Sequence, residues 1–301
     1  MALGWYPGHM HKAQREIRKV LPEIDVVIEV LDARIPHSSA NPMLANICRN
    51  KPRLKLLSKS DLADSQLTQT WVQHLQQDSQ VRALPIITPQ ANTLKPIASL
   101  CRQLAGHIRA DRALRVMIMG IPNVGKSTLI NSLAGKRIAK VGNEPAVTKA
   151  QQKIMLKQGL ALFDTPGVLW PKLDPPTCAY RLAATGAIRD TAMDYYDVGL
   201  FTAAWLNTNY PQVLAKRYKL EQRLSPEDTL AHIGQRRGGL RAGGEIDFHK
   251  AAEVLLHDLR AGHLGQLTLE TPTDIEKELA EYQAASLQQE HSQTPEDTQI
   301  P

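Results

Sequence analysis

The residues with the clearest chemical potential are Gly120-Ile-Pro-Asn-Val-Gly-Lys-Ser127, which fit the pattern G-x-x-x-x-G-K-[ST]. The apolar run RVMIMG precedes them and STLINSLAG follows, so the loop is predicted to join a strand to a helix. Such a loop suits a phosphate. Gly120 and Gly125 let the backbone curl until its N–H groups face a β-phosphate at the start of the helix. Lys126 would neutralise the β- and γ-phosphates, and the Ser127 hydroxyl would ligate Mg²⁺. Val124, Gly125, Lys126, Ser127 and Thr128 are therefore the expected contacts of this half of a nucleotide site. A ligand-free glycine turn is the competing reading, and the flanking strand and helix weigh against it.

Turnover of a bound triphosphate needs further groups. Asp164-Thr-Pro-Gly167 follows the apolar run LALF, where a strand-end carboxylate can hold magnesium through water and a glycine N–H can reach the γ-phosphate. Between this motif and the phosphate loop lies Thr148, in the polar segment GNEPAVTKAQQ, placed to close over the γ-phosphate and offer a hydroxyl to Mg²⁺. Directly after Gly167 stands Val168, where many enzymes of this chemistry carry a glutamine that orients the attacking water. A valine cannot hydrogen-bond to water.

Guanine recognition normally uses N-K-x-D after a strand: the carboxylate accepts from the base N1–H and exocyclic amine, and the lysine stem packs over the ring. Downstream of the phosphate loop, Pro171-Lys-Leu-Asp174 has the K-x-D spacing, but it lies too close to Gly167 and is flanked by prolines that deny it a helix start. Upstream, Ser58-Lys59-Ser-Asp61 follows the strand-like LKLL and precedes a helical pattern. A further apolar run, ALPII, ends at Thr88-Pro89-Gln, where a second base-contacting loop is expected. The base-reading half thus precedes the phosphate half, and the ligand implied is GTP or GDP.

The elements that must position these residues are legible as alternation. DVVIEVLDA (25–33), LKLL (54–57), ALPII (83–87), RVMIMG (115–120) and LALF (160–163) are predicted strands, separated by amphipathic helices such as SQLTQTWVQHLQQ and LKPIASLCRQLAGHI. That order implies an α/β fold with a largely parallel sheet covered on both faces. Beyond WPKLDPPT (170–177) the pattern turns helical, with one short possible strand near Leu267 to Leu269. The expected organisation is a basic leader at 1–23, a nucleotide domain at 24–175, a smaller all-helical domain at 176–283 and a flexible tail at 284–301, which is too polar to add to a core. The 301 residues are 43% apolar and 22% charged, ordinary for a globular protein. Three widely spaced cysteines argue against disulfides or a zinc site. No apolar run reaches membrane-spanning length, so the expectation is a cytoplasmic protein with no membrane partner. A net charge of +6 favours polyanions without choosing one.

Taken together, the motifs resemble the circularly permuted GTPases, and most closely the YlqF type, bacterial GTPases of large-ribosomal-subunit assembly. The resemblance extends to the leader Trp5-Tyr-Pro-Gly-His-Met10, to DVVIEVLDARIPHSSANP and to GGEIDFHKAAEVLLHDLRAGHLGQLTLETP. Two positions depart from it: Ser58 replaces the Asn or Thr that opens the base motif, and TPQ replaces S-A-K. The resemblance implies a P-loop GTPase domain with a helical C-terminal domain that binds rRNA, and a partner in the precursor of the large ribosomal subunit. The expected state off the ribosome is a monomer. It places Asn123 at the position that, in potassium-stimulated relatives, helps coordinate K⁺ beside the transferring phosphate, and it implies slow intrinsic hydrolysis at a site with Val168. His9 could orient water or act as a base, or could contact RNA phosphates; both remain open. The basic stretches KRYKLEQR (216–223) and QRRGGLRAGG (235–244) are the candidate RNA surface. An ATPase acting on nucleic acid and a non-catalytic RNA-binding scaffold are the rival readings.

Overall fold

Val26–Asp32 (β1) is buried at every position, which its near-continuous apolar run demands of a strand covered on both faces. The computed structural model describes residues 7–109, 111–138, 152–167, 169–170, 172–241 and 243–292, with the backbone alone for 7–13, 152 and 289–292. Around β1 lie Arg53–Ser58 (β2), Val81–Pro85 (β3), Leu114–Gly120 (β4), Gln152–Leu156 (β5) and Leu160–Asp164 (β6), in the order β3-β2-β1-β4-β6-β5. All neighbours are parallel except β5 and β6, which form an antiparallel hairpin. The parallel strands leave their C-terminal ends, and the loops that follow, on one edge of the sheet.

Helices cover the sheet: Pro7–Val20 (α1), Pro42–Ile47 (α2), Ser65–Leu75 (α3), Ala91–Leu94 (α4), Pro96–Leu104 (α5) and Lys126–Ala134 (α6). Strand alternation sorts the two faces. Val27, Met117 and Met119 pack with Ile17 of α1 and Leu44 of α2, whereas Val26, Ile28, Val30, Val116 and Ile118 join the main core on the other side. Asp64 starts α3 by accepting from the N–H groups of Gln66 and Leu67, both at 2.9 Å.

The second half is helical: Pro176–Ala184 (α7), Tyr195–Asn209 (α8), Pro211–Tyr218 (α9), Pro226–Arg236 (α10), Phe248–Ala261 (α11) and Pro272–Ser292 (α12). Gly199 lets α8 and α11 touch, since a Cβ there would fall 2.5 Å from that of Ala252. Leu206, Leu230, Ile233, Leu255 and Leu256 extend the sheet's main core into this bundle without a break. Between α11 and α12 the chain turns at 262–264 and then passes as a strap, 265–271, against the loops that follow β1 and β2. Cys48, Cys101 and Cys178 are buried free thiols, pushed up to about 11, 12 and 12 chiefly by that burial.

Three sequence expectations are corrected. β5 was not anticipated: its short polar–apolar alternation is an edge-strand pattern, and Met155 is 60% exposed. Leu267 to Leu269 form no strand, because the Leu267 N–H donates to Leu62 O and that of Leu269 to Arg34 O, carbonyls on two different segments. α12 runs to Ser292, past residue 284: its first turns pack through Ile275 and Leu279, and beyond them its Ala, Glu and Gln content sustains an exposed helix. No helix among the described residues is long and apolar enough to cross a membrane.

Candidate functional site

The phosphate loop leaves β4 at Gly120, whose φ of +155° and approach to Val30 (a Cβ would lie 2.5 Å from that carbonyl oxygen) admit no side chain. Asn123 takes a left-handed φ of 57° and Gly125 one of 101°, and these two turns deliver the chain into α6 at Lys126. Ser127 and Thr128 follow in the first turn of that helix, half-buried. The result is a set of backbone N–H groups at a helix N-terminus, the arrangement that attracts a phosphate.

Lys126 is only 8% exposed and donates to the carbonyls of Gly120 (2.9 Å) and Ile121 (3.0 Å). Burial pulls its pKa down to about 8, against the pull of Asp164, the residue that ends β6. Asp164 is itself buried, and Thr165 fixes its loop by donating Oγ1 to Ile118 O at 2.9 Å. Three residues on, Gly167 lies over the phosphate loop: a Cβ there would come within 2.9 Å of Lys126 Nζ and 3.1 Å of the Pro122 backbone. The two phosphate-side motifs are thus one structure.

The base-side segments arrive at the same place. Ser58, the last residue of β2, is buried with its hydroxyl 2.6 Å from Val124 O and 2.8 Å from Leu31 O, so the departure from Asn or Thr at this position still ties the base motif to the phosphate loop. Buried Thr88 places Oγ1 3.9 Å from where a Cβ on Gly125 would stand, while Pro89 is exposed beside it. Lys59 has φ of 56° and donates Nζ to Asp32 Oδ2 at 2.8 Å. Burial lowers the pKa of Lys59, opposed by Asp32. Asp61 is exposed in the loop that follows, with its backbone carbonyl accepting from Gln266 Nε2 at 3.2 Å. The rejected K-x-D segment pairs within itself, Lys172 Nζ to Asp174 at 2.9 Å.

Residues that the sequence reading did not single out support this edge. Arg34 grips Asp32 through Nε (3.0 Å) and Nη2 (2.8 Å), and both are buried. Burial would raise the Asp32 pKa, but Arg34 and Lys59 outweigh it and hold the carboxyl below its usual range. The strap then braces the base loop: besides Gln266, the Leu267 N–H donates to Leu62 O (3.0 Å) and Thr268 Oγ1 accepts from Asp64 N (3.2 Å). A D-x-R sequence closing a buried strand was the available signal for Asp32 and Arg34; the strap offers no comparable periodicity.

Three candidates lie wholly or partly outside the described residues. His9 lies in the first turn of α1, with its side chain outside the described residues; Thr148 and Val168 are also outside them. Arg217, within one basic stretch, turns inward to Asp258 (2.7 and 2.8 Å), whereas Lys216, Arg236, Arg237 and Arg241 stay exposed. His257, Asp258 and His263 approach closely enough to share an ion, yet the guanidinium on both Asp258 oxygens opposes a cation there.

Comparison with known proteins follows the same lines. Ribosome biogenesis GTPase A of Bacillus licheniformis is 46% identical over 286 residues, covering 91% of this chain and 100% of that protein. The chain belongs to the ribosome biogenesis GTPase A family. The Thermotoga maritima protein of that name is 31% identical over 273 residues, covering 91% of this chain and 96% of the other. A crystal structure of GNP-bound YlqF from T. maritima superposes with a TM-score of 0.62 at 26% identity, covering 87% of this chain and 98% of that one. A family model described as a 50S ribosome-binding GTPase matches residues 115–202. As a member of the ribosome biogenesis GTPase A family the chain is an enzyme that binds guanine nucleotide and hydrolyses GTP, with a part in ribosome assembly. This removes the ATPase and scaffold readings.

Proposed function

We propose that this GTPase reads guanine with Asp61 and phosphate with the loop at 120–128, through a circularly permuted arrangement in which the base half comes first. The observation that carries the reading is the 2.6 Å contact of Ser58 Oγ with Val124 O, which joins the start of the base motif to the phosphate loop. In this reading Lys59 and the Thr88-Pro89 loop flank the base, and Lys126 lies along the β- and γ-phosphates. Mg²⁺ is held by Ser127, Thr148 and Asp164, with Gly167 sensing the γ-phosphate. Asn123 takes a K⁺ ion as a built-in positive charge. His9 either orients water or contacts RNA.

The same reading gives the enzyme the precursor of the large ribosomal subunit as partner, with rRNA met by the exposed Lys216, Arg236, Arg237 and Arg241 of the helical unit at 176–283. It works as a cytoplasmic monomer off the ribosome, docking with GTP and leaving after hydrolysis. The names of its relatives and the matched family description, 50S ribosome-binding GTPase, support the partner.

Two measurements test this. Asp61→Asn exchanges a two-fold acceptor for a group with a donor, so a fluorescent GDP should be lost and xanthosine diphosphate gained; unchanged guanine binding would remove Asp61 from the site. Cosedimentation with large-subunit particles should be stronger with a non-hydrolysable GTP analogue than with GDP; equal pelleting would end the switch.

A further inference from the structure

Asn123 in the phosphate loop donates Nδ2 to the carbonyl oxygen of Gly186 at 2.9 Å. Gly186 lies in the turn that ends α7, at a φ of +81° that disfavours any side chain. The turn is clamped from the helical region. Arg260, in the last turn of α11, donates Nε to Ala184 O (3.1 Å), Nη2 to Ala183 O (2.8 Å) and Nη1 to Asp190 Oδ1 (3.0 Å). A Cβ on Gly186 would stand 3.4 Å from Arg260 Nε, so the guanidinium also backs the turn directly. From the sheet side Arg34 Nη2 lies 3.5 Å from Thr185 O.

A primary amide has a donor end and an acceptor end, and only the oxygen can ligate a cation. Fixing the nitrogen on Gly186 O therefore decides which end of Asn123 is presented on the opposite side. Groups that orient a ligand through a hydrogen bond commonly set its affinity for the ion. We propose that Arg260 is a positioning residue for GTP hydrolysis: it holds the Thr185–Gly186 turn so that Gly186 orients Asn123 in the phosphate loop. The helical region thereby sets the geometry of the phosphate side, and a partner that shifts α11 changes the hydrolysis rate without touching the nucleotide. This rests on the reading of Asn123 as the K⁺ ligand.

The experiment is phosphate release by the full chain, titrated with KCl at constant ionic strength, alongside GDP affinity and thermal unfolding. Asn123→Ala should abolish the response to K⁺. Arg260→Gln, which keeps one amide donor, should raise the half-saturating K⁺ concentration about tenfold. Its GDP affinity should stay unchanged. Arg260→Ala should shift it further, and Asp190→Asn, which spares both backbone grips, should behave as wild type. The double variant Asn123→Ala/Arg260→Gln should match Asn123→Ala alone. A wild-type K⁺ response in folded Arg260→Gln, or losses that multiply in the double variant, would overturn the positioning role. A wild-type K⁺ response in Asn123→Ala would instead overturn the K⁺ reading and take this inference with it.

Discussion

The phosphate loop grows straight out of the central sheet, whereas the base loop leans on chain 205 residues further along. Gly120, Asn123 and Gly125 give the first its turns, Lys126 and Gly167 lock it from within, and one side-chain hydrogen bond, Asn123 Nδ2 to Gly186 O, ties it to the helical region. The loop carrying Asp61 is exposed, and Gln266, Leu267 and Thr268 of the strap hold it. The first half is built mostly by the α/β fold, with one tie to the helical region; the second rests on three such ties. Affinity for phosphate and selectivity for base are consequently separable, by substitutions that touch one side only.

The widest separation is expected from Lys126→Ala. Losing a buried charge that faces phosphate should cost about 3 to 5 kcal/mol of GDP binding. Binding of guanosine should barely change, and competition titrations with the two ligands compare them. Leu267→Ala attacks the other half: this leucine is 1% exposed, and truncation should cost about 2 to 4 kcal/mol of stability in urea unfolding. Under native conditions GDP affinity should then fall while tripolyphosphate affinity holds.

Acidity offers a subtler separation. Burial brings Lys126 down to about 8, with Asp164 resisting. Below that pH the lysine is charged before and after nucleotide arrives. Above it the free protein has lost a proton that the phosphates restore, so binding takes one up and weakens by up to about 1.4 kcal/mol per pH unit. Nucleotide titrations at pH 7, 8 and 9 should show this, and Lys126→Met should abolish the dependence. The smallest effect belongs to Gln266→Ala, which removes a single exposed hydrogen bond and should weaken GDP by about 0.5 to 1 kcal/mol with tripolyphosphate unaffected. Equal losses for both ligands would show that the strap braces the whole site.

Asp258 gives a check on the helical region alone. Burial would raise its pKa, but Arg217, His263 and Tyr218 lower it to about 2. Its stabilising contribution is therefore full above the ordinary aspartate range and lost as pH falls from about 4 towards 2. Asp258→Asn should flatten acid unfolding in that window, measured by circular dichroism.

The two halves also differed in how far they could be read beforehand. The phosphate loop, Asp164 and five of the six strands announce themselves because apolar runs and glycines act locally, each within a few residues of what it shapes. The strand that delivers Ser58, Lys59 and Asp61 to this edge is legible from the apolar run before K-x-D, even with the first residue of the motif altered. The buried pair of Asp32 and Arg34, the strap and the Gly186 turn were not, because their roles consist of contacts between distant segments and leave no period in the chain. β5 is hidden as an edge strand of mixed polarity, and the end of α12 because an exposed polar helix has no apolar stripe to reveal it.

A ribosome releases this chain from its first residue onward, so the loop at Lys126 can take shape long before Gln266, Leu267 and Thr268 leave the exit tunnel. A nascent chain would therefore gain the hydrogen bonds that hold the Asp61 loop only after the loop at Lys126 has been made.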